Sequence, residues 1–133
     1  MKALLLTLAA ICVPADVVSV TDGDTFKAEA RPWPRMIVEV AVRVDGVDTP
    51  EKGWRAKCDA ERRLGAKASK FAKARIKPGD RVLLCSVEEG KYAKRALARV
   101  ILADGTDYGQ ALIDAGLAVL YDGGTKRSWC GGD

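Results

Sequence analysis

The chain of 133 residues contains no histidine, and this absence removes several kinds of active site. A Ser-His-Asp or Cys-His triad cannot be built without an imidazole, and neither can any hydrolytic centre that uses histidine as its base. The sequence also lacks a CxxC pair, so a structural zinc site would lack its usual ligands. Carboxylates, arginines and lysines are the side chains left to carry chemistry.

The apolar run at the N-terminus, residues 3–13, is too short to span a membrane, which takes about 20 residues. It follows Met1-Lys2 and precedes Pro14-Ala15 and the polar Asp16. A basic start, a short apolar stretch and small residues before a polar one are typical of a secretory signal peptide, although a buried first strand or a tail is the alternative. We expect residues 1–15 to be a signal peptide and residues 16–133 to form one domain that is secreted or periplasmic.

The composition fits a soluble globular protein, with 48% hydrophobic and 30% charged residues. The net charge of +4 is compatible with a polyanionic partner, but many proteins without such a partner share it.

Loss of a signal peptide would remove Cys12 and leave three cysteines. We expect a disulfide between Cys58 and Cys130, and a free, buried thiol at Cys85, because Cys85 lies in an apolar strand pattern.

The hydrophobic pattern predicts five short strands, at residues 16–21, 25–30, 36–44, 81–87 and 95–102. Residues 59–76 repeat apolar side chains at helical spacing, with Asp59 as the expected cap and Lys77-Pro78-Gly79 as the stop. A second helix is expected between the cap Asp107 and Gly116. Three strands, a helix, two strands and a helix predict an α+β fold, a five-stranded Greek-key barrel of the OB type with two or three helices.

Two polar clusters lie at predicted strand ends: Asp22-Gly23-Asp24-Thr25, and Arg43 followed by Asp48-Thr49-Pro50-Glu51. Taken singly, each has an ordinary explanation, because Asp-Gly is common in hairpins, proline is common in turns, and isolated strand arginines are usually solvated. Taken together, they meet the needs of phosphodiester hydrolysis. That reaction requires an oriented water, positive charge on the transition state and help for the leaving oxygen.

Residues 20–27 and 43–51 resemble the two active-site signatures of the staphylococcal nuclease (thermonuclease) family. Residues 92–98 are similar to the family segment that holds its second catalytic arginine, and the helix from Tyr108 to Gly116 is similar to a family helix. The resemblance covers residues 17 to about 129. One extra residue lies between Tyr92 and Arg95, and the chain ends soon after Trp129-Cys130, where the best-known members continue into a third helix.

The resemblance implies a calcium ion held by Asp24, Asp48 and the backbone carbonyl of Thr49, an oxygen-only set that suits a hard cation. It implies that Glu51 is the general base or orients the attacking water. Arg43 and Arg95 would grip the scissile phosphate, because a guanidinium can donate two parallel hydrogen bonds to phosphate oxygens.

The same resemblance assigns substrate contacts to Tyr92, Lys94 and Tyr121, with Tyr121 near a nucleotide-facing aromatic position. The substrate would be DNA, RNA or both, cut to leave 3′-phosphate ends. We expect a monomer that has no membrane association after processing.

Two other classes of function fit the same sequence less well. A barrel of this type can lose its site and bind nucleic acid or protein, but such a chain should have lost at least one of Asp24, Arg43, Asp48, Glu51 and Arg95. A small exported calcium-binding or inhibitory protein would use the acidic turns only structurally, and the sequence contains no EF-hand ligand pattern.

Overall fold

A computed structural model describes residues 11–90 and 95–131. Strands and helices follow one another along the chain as β1 (Cys12–Asp22), β2 (Thr25–Ala30), β3 (Val38–Val44), β4 (Val47–Asp48), a 3₁₀ helix (Gly53–Arg55), α1 (Asp59–Arg75), β5 (Arg81–Glu89), β6 (Arg95–Ile101), α2 (Tyr108–Asp114) and β7 (Val119–Leu120).

The five longer strands close into a barrel in the order β1-β2-β3-β6-β5, with β1 also paired to β5. β3 and β6 run parallel, and the other neighbours run antiparallel. Alternate residues of these strands point inward and pack with apolar residues of both helices, so one core fills the barrel and extends beneath α1 and α2. The predicted α+β barrel with two helices is confirmed.

Two strands of the structure were not expected from the sequence. β4 and β7 contain two residues each, too few to show an alternating pattern, and they pair antiparallel as Val47 with Leu120 and Asp48 with Val119. This small ladder matters for the site because it fixes the backbone of Asp48 against the segment that precedes the C-terminus.

The expectation of a free thiol at Cys85 is wrong. Cys85 is buried and forms a disulfide with Cys12, the residue directly opposite it in the β1–β5 pair. Strand register brought the two residues together, and an apolar pattern cannot distinguish a buried half-cystine from a small hydrophobe. The expected disulfide between Cys58 and Cys130 is confirmed.

β1 begins four residues earlier than expected, at Cys12. Residues 12–15 pair with β5, and Ala15 is completely buried in the barrel. Cleavage after Ala15 would therefore remove part of a barrel strand together with Cys12 and its disulfide. The signal peptide stays a prediction, and most of its expected span, residues 1–10, lies outside the described residues.

The β1–β2 hairpin forms at the expected Asp-Gly turn, but its glycine is needed for a different reason. Gly23 does not have a positive φ. A Cβ at this position would lie 2.7 Å from the Cβ of Ala68 on α1, a separation too short for two carbon atoms. Only glycine lets the turn that precedes Asp24 approach the helix this closely.

The two helices begin at side-chain caps. Asp107 caps α2 as expected, accepting a hydrogen bond from the backbone N–H of Gln110 at 3.3 Å. The cap of α1 is Cys58 and not the expected Asp59: the Cys58 sulfur accepts from the backbone N–H of Glu61 at 3.5 Å.

Within the described residues, no helix is long and apolar enough to cross a membrane.

Tyr108 connects α2 to the hairpin. Its side chain is fully buried, and its hydroxyl donates a 2.6 Å hydrogen bond to the backbone carbonyl of Gly23. Burial is the largest cause that raises the pKa of Tyr108, and the charge of Asp24 raises it further. The phenol therefore stays a donor over the whole physiological pH range.

Tyr108→Phe would leave the Gly23 carbonyl without this donor in a buried site. We expect the free energy of unfolding to fall by about 1–3 kcal/mol, the usual cost of an unsatisfied buried acceptor. The matched control is Tyr121→Phe, whose hydroxyl donates to the exposed carbonyl of Gly124 at 2.8 Å and whose loss should cost much less. Urea denaturation of both variants measures the difference, and equal stabilities would contradict this role of Tyr108.

Candidate active site

Arg43 joins the two aspartates expected to bind a metal ion. Its Nη1 lies 2.8 Å from Asp24 Oδ2, and its Nη2 lies 3.7 Å from Asp48 Oδ1. Nη2 also donates to the backbone carbonyl of Val47 at 3.4 Å. Both aspartates are buried, so a single guanidinium holds two buried carboxylates close together, as buried charges require.

Asp48 has two further partners from the segment that follows β7. The Lys126 ammonium lies 3.3 Å from Asp48 Oδ1, and the Trp129 indole N–H donates to Oδ2 over 3.4 Å. The disulfide from Cys130 to Cys58 anchors this segment. The C-terminal segment is therefore one wall of the site.

Thr25 connects Asp24 to Arg95. The Thr25 hydroxyl donates to Asp24 Oδ1 at 3.0 Å and accepts from Arg95 Nη2 at 3.4 Å. Arg95 Nε is buried and has no hydrogen-bond partner among the described residues. A buried donor without an acceptor is costly, so Arg95 has unused capacity to bind an anion.

α1 positions the backbone of Glu51. The carboxylate of Glu61, which is buried, accepts the backbone N–H groups of Glu51 at 3.1 Å and of Lys57 at 2.8 Å. A Cβ at Gly65 would lie only 2.3 Å from the Glu51 carbonyl oxygen, so glycine is required for the contact. Glu51 is thus fixed to the helix through its main chain, which leaves its carboxylate free.

Lys52 holds the hairpin, the loop and the helix together at the edge of the site. Its ammonium donates to the Thr21 carbonyl at 2.7 Å and to the Ser69 hydroxyl at 3.3 Å, and it lies 3.6 Å from Asp22 Oδ1. These contacts join the loop that carries Glu51 to the turn that carries Asp24.

These side chains surround an open cleft of about 810 Å³. The expected site residues along its wall are Asp24, Arg43, Glu51, Arg95 and Tyr121. The Tyr121 ring has the Arg43 guanidinium 6.0 Å from its centroid and the Lys126 ammonium 5.8 Å from it. Asp48 and Thr49 are buried beside this cleft and line a smaller adjoining cavity. Tyr92 and Lys94 lie outside the described residues.

The donor set fits a hard divalent cation. Asp24, Asp48 and the Thr49 carbonyl supply oxygen only, and cationic side chains already converge on both carboxylates, which shows that the pocket favours positive charge. Among the described residues no cluster of three or more His, Cys, Asp or Glu side chains could hold a metal ion. The protein would therefore supply few ligands, and water would complete the coordination shell.

Several residues that shape the site were not singled out from the sequence. Glu61 and Gly65 look like ordinary members of an amphipathic helix, although a glycine in a helix interior is unfavourable and is itself a signal of close packing. Lys126 and Trp129 are distant from the two motifs in sequence. A disulfide and the two-residue strand pair place them at Asp48, and no local pattern reports such contacts.

The carboxylate of Glu51 has a raised pKa. Burial is the largest cause; the neighbouring charges of Asp24 and Asp22 raise the pKa further, whereas those of Lys126 and Arg55 lower it. The folded chain thus holds the Glu51 proton more tightly than the unfolded chain does. The free energy of unfolding therefore falls as the pH rises from 4.5, the ordinary pKa of this carboxyl group, through its raised pKa in the folded chain. The reason is that the unfolded chain releases this proton first.

Titration of the Glu51 carboxyl carbon by nuclear magnetic resonance should give a pKa above 4.5. Lys126→Gln should raise that pKa further, because it removes a nearby positive charge. Arg127→Gln, which removes the charge of the next residue along the chain, is the control and should change the Glu51 pKa less. In Glu51→Gln the free energy of unfolding should lose the part of its pH dependence that Glu51 causes. A Glu51 pKa below 4.5 would contradict this description.

Comparison with known proteins agrees with the geometry. The family model described as "Staphylococcal nuclease homologue" matches residues 41–128, which is more than half of the chain. The chain is also 32% identical over 109 residues to "Endonuclease YhcR" of Bacillus subtilis (strain 168). That alignment covers 77% of this chain but only 8% of the much longer relative. With an OB-type barrel that carries both signatures around one cleft, this chain belongs to the staphylococcal nuclease family.

Proposed function

We propose that the chain is a calcium-dependent nuclease that hydrolyses phosphodiester bonds of DNA, RNA or both. The observation that carries the proposal is the bridge from Arg43 to Asp24 and Asp48, beside a cleft that also contains Glu51 and Arg95. Family membership supports the reaction class, and the named relative is an endonuclease. A binding module that had lost its site would not be expected to keep all five side chains.

In this proposal Asp24, Asp48 and the Thr49 carbonyl hold the calcium ion, which when bound supplies positive charge to the phosphate and its attacking water. Glu51 orients that water and accepts its proton. Its main chain is fixed by Glu61 at 3.1 Å, so the carboxylate has a defined starting position. A positioned base of this kind contributes roughly 10²–10⁴-fold to the rate.

Arg43 and Arg95 bind the scissile phosphate and stabilise the charge that grows on its oxygens in the transition state. Arg43 is anchored through Asp24, so its orientation is set before substrate arrives. Within the described residues Arg95 Nε has no partner, and Arg95 makes a long contact to Thr25, which leaves it able to turn toward a phosphate. The leaving group would be the 5′-oxygen, giving 3′-phosphate ends, and Tyr121 would face a nucleotide across the cleft.

We further propose that the chain works as a monomer in the periplasm or outside the cell. Two disulfides support an oxidising compartment, because cytosolic thiols are kept reduced. The Cys58–Cys130 disulfide would remain after a signal-peptide cut at Ala15, so this support does not depend on that cut.

The test is cleavage of single-stranded DNA and of RNA by the purified chain with millimolar calcium, with and without a chelator. We expect shortened products with 3′-phosphate ends, and none in the presence of the chelator. Intact substrates under calcium would contradict the proposal.

Glu51→Gln should reduce kcat by about 10²–10⁴-fold without a loss of folding, because it removes a base and not a core contact. The matched control is Glu39→Gln, which changes an exposed carboxylate on β3 and should keep normal activity. Full activity in Glu51→Gln would reject its role as base while leaving the metal ligands in place.

A further inference from the structure

A second cavity, of about 290 Å³, adjoins the cleft. The two share Glu51, Arg55 and Lys126 as lining residues, so a chain-like ligand could pass from one into the other. Asp48, Thr49 and Glu51 also line this cavity and have roles in the proposed function, whereas Arg55, Lys57 and Arg127 have none.

Two of the segments that line this cavity form facing walls, and a disulfide joins them. One wall carries Arg55 and Lys57, and the other is the stretch 126–129. Cys58 directly follows the first wall and Cys130 directly follows the second, so the bond between them fixes the separation of the walls. Neither Cys58 nor Cys130 belongs to the hydrophobic core of the barrel.

The cavity has an excess of uncommitted positive charge. Arg55, Lys57 and Arg127 form no ion pair with any residue of the described chain. Three acidic residues line the cavity, and two of them, Glu61 and Asp48, are already engaged, whereas Glu51 is not. Glu61 accepts two backbone N–H groups, and Asp48 is paired with Lys126. An anion entering the cavity would therefore meet three cations without an ion pair, against the single carboxylate of Glu51.

An arginine of each wall lies near a tryptophan ring: Trp129 lines the cavity, whereas Trp54 precedes Arg55 in the chain and lies outside the lining. The Arg55 guanidinium lies 5.4 Å from the centre of the Trp54 ring, which is 87% exposed, and the Arg127 guanidinium lies 5.8 Å from the Trp129 ring. A flat apolar surface beside a cation matches the two halves of a nucleotide, its base and its phosphate. Single-stranded nucleic acid is commonly bound in this way.

We propose that this cavity is a binding subsite for the nucleotide next to the scissile phosphate of a single-stranded polynucleotide. The inference rests on the proposed nuclease function, because it takes the neighbouring cleft as the place of cleavage. The Cys58–Cys130 disulfide prepares the subsite by holding its walls apart at a fixed distance, so that less ordering is needed when the strand binds.

The test measures binding of a fluorescent eight-nucleotide thymidylate strand in the presence of a chelator, so that no cleavage occurs. Lys57→Gln/Arg127→Gln removes two charges that line the second cavity and do not line the cleft. We expect about tenfold weaker binding, and a slope of log Kd against log salt that is lower by about 1.4, since each phosphate contact on a single strand contributes about 0.7. The control, Lys73→Gln/Lys77→Gln, removes the same charge from exposed positions in and beyond the last turn of α1.

A second pair of variants tests the disulfide. Cys58→Ser/Cys130→Ser should weaken strand binding, whereas Cys12→Ser/Cys85→Ser should lower the melting temperature without weakening binding by a chain that is still folded. Equal effects of the two charge pairs would overturn the proposal, because the cavity would then act only through overall charge. Strand binding that is unchanged in Lys57→Gln/Arg127→Gln would also overturn it.

Hydrolysis of a nitrophenyl ester of a single nucleotide, measured with calcium, separates this proposal from the function on which it rests. Such an ester places nothing in the second cavity. Lys57→Gln/Arg127→Gln should therefore hydrolyse it at the normal rate while losing activity on the longer strand. Equal loss on both substrates would contradict the subsite. Absence of ester and polynucleotide hydrolysis by the unaltered chain would reject the nuclease function itself.

Discussion

The arrangement of the site depends on the contact of one arginine with two buried carboxylates. Arg43 comes from β3, Asp24 from the β1–β2 turn and Asp48 from the short β4 strand, and no local element would bring them together. Two like charges buried side by side repel each other and cost solvation, so the guanidinium between them offsets both terms. In the proposed function, a divalent cation would share with Arg43 the negative charge of Asp24 and Asp48, and a phosphate would pair with Arg43.

The site is held together by two places where the backbone packs closely against α1. Gly23 brings the hairpin turn against Ala68, and Gly65 brings the Glu51 backbone against α1. Tyr108 then fixes the turn from beneath through the Gly23 carbonyl. Since Ala68 and Tyr108, which hold the turn before Asp24, belong to the packed core, changes to the core should alter the position of Asp24.

The sequence predicted the barrel, because alternation marks its strands. Five of the residues that it singled out line the cleft: Asp24, Arg43, Glu51, Arg95 and Tyr121. It did not predict β4 and β7, which are too short to show a period, or the pairing of Cys12 with Cys85, which depends on register between distant strands. Lys126 and Trp129 were missed for a related reason, since a disulfide across 72 residues carries them to Asp48. The wall of the site that Lys126 and Trp129 form therefore could not be predicted from local sequence patterns.

The central claim is that Asp24 and Asp48 together bind a calcium ion. Calorimetric titration of the purified chain with calcium tests it most directly, because it measures binding without requiring catalysis. We expect one ion per chain, with binding that is strongly weakened in Asp24→Asn and in Asp48→Asn and is retained in Asp45→Asn, a change in the exposed turn beside the site. Calcium binding that persists unchanged in both Asp24→Asn and Asp48→Asn would contradict the account.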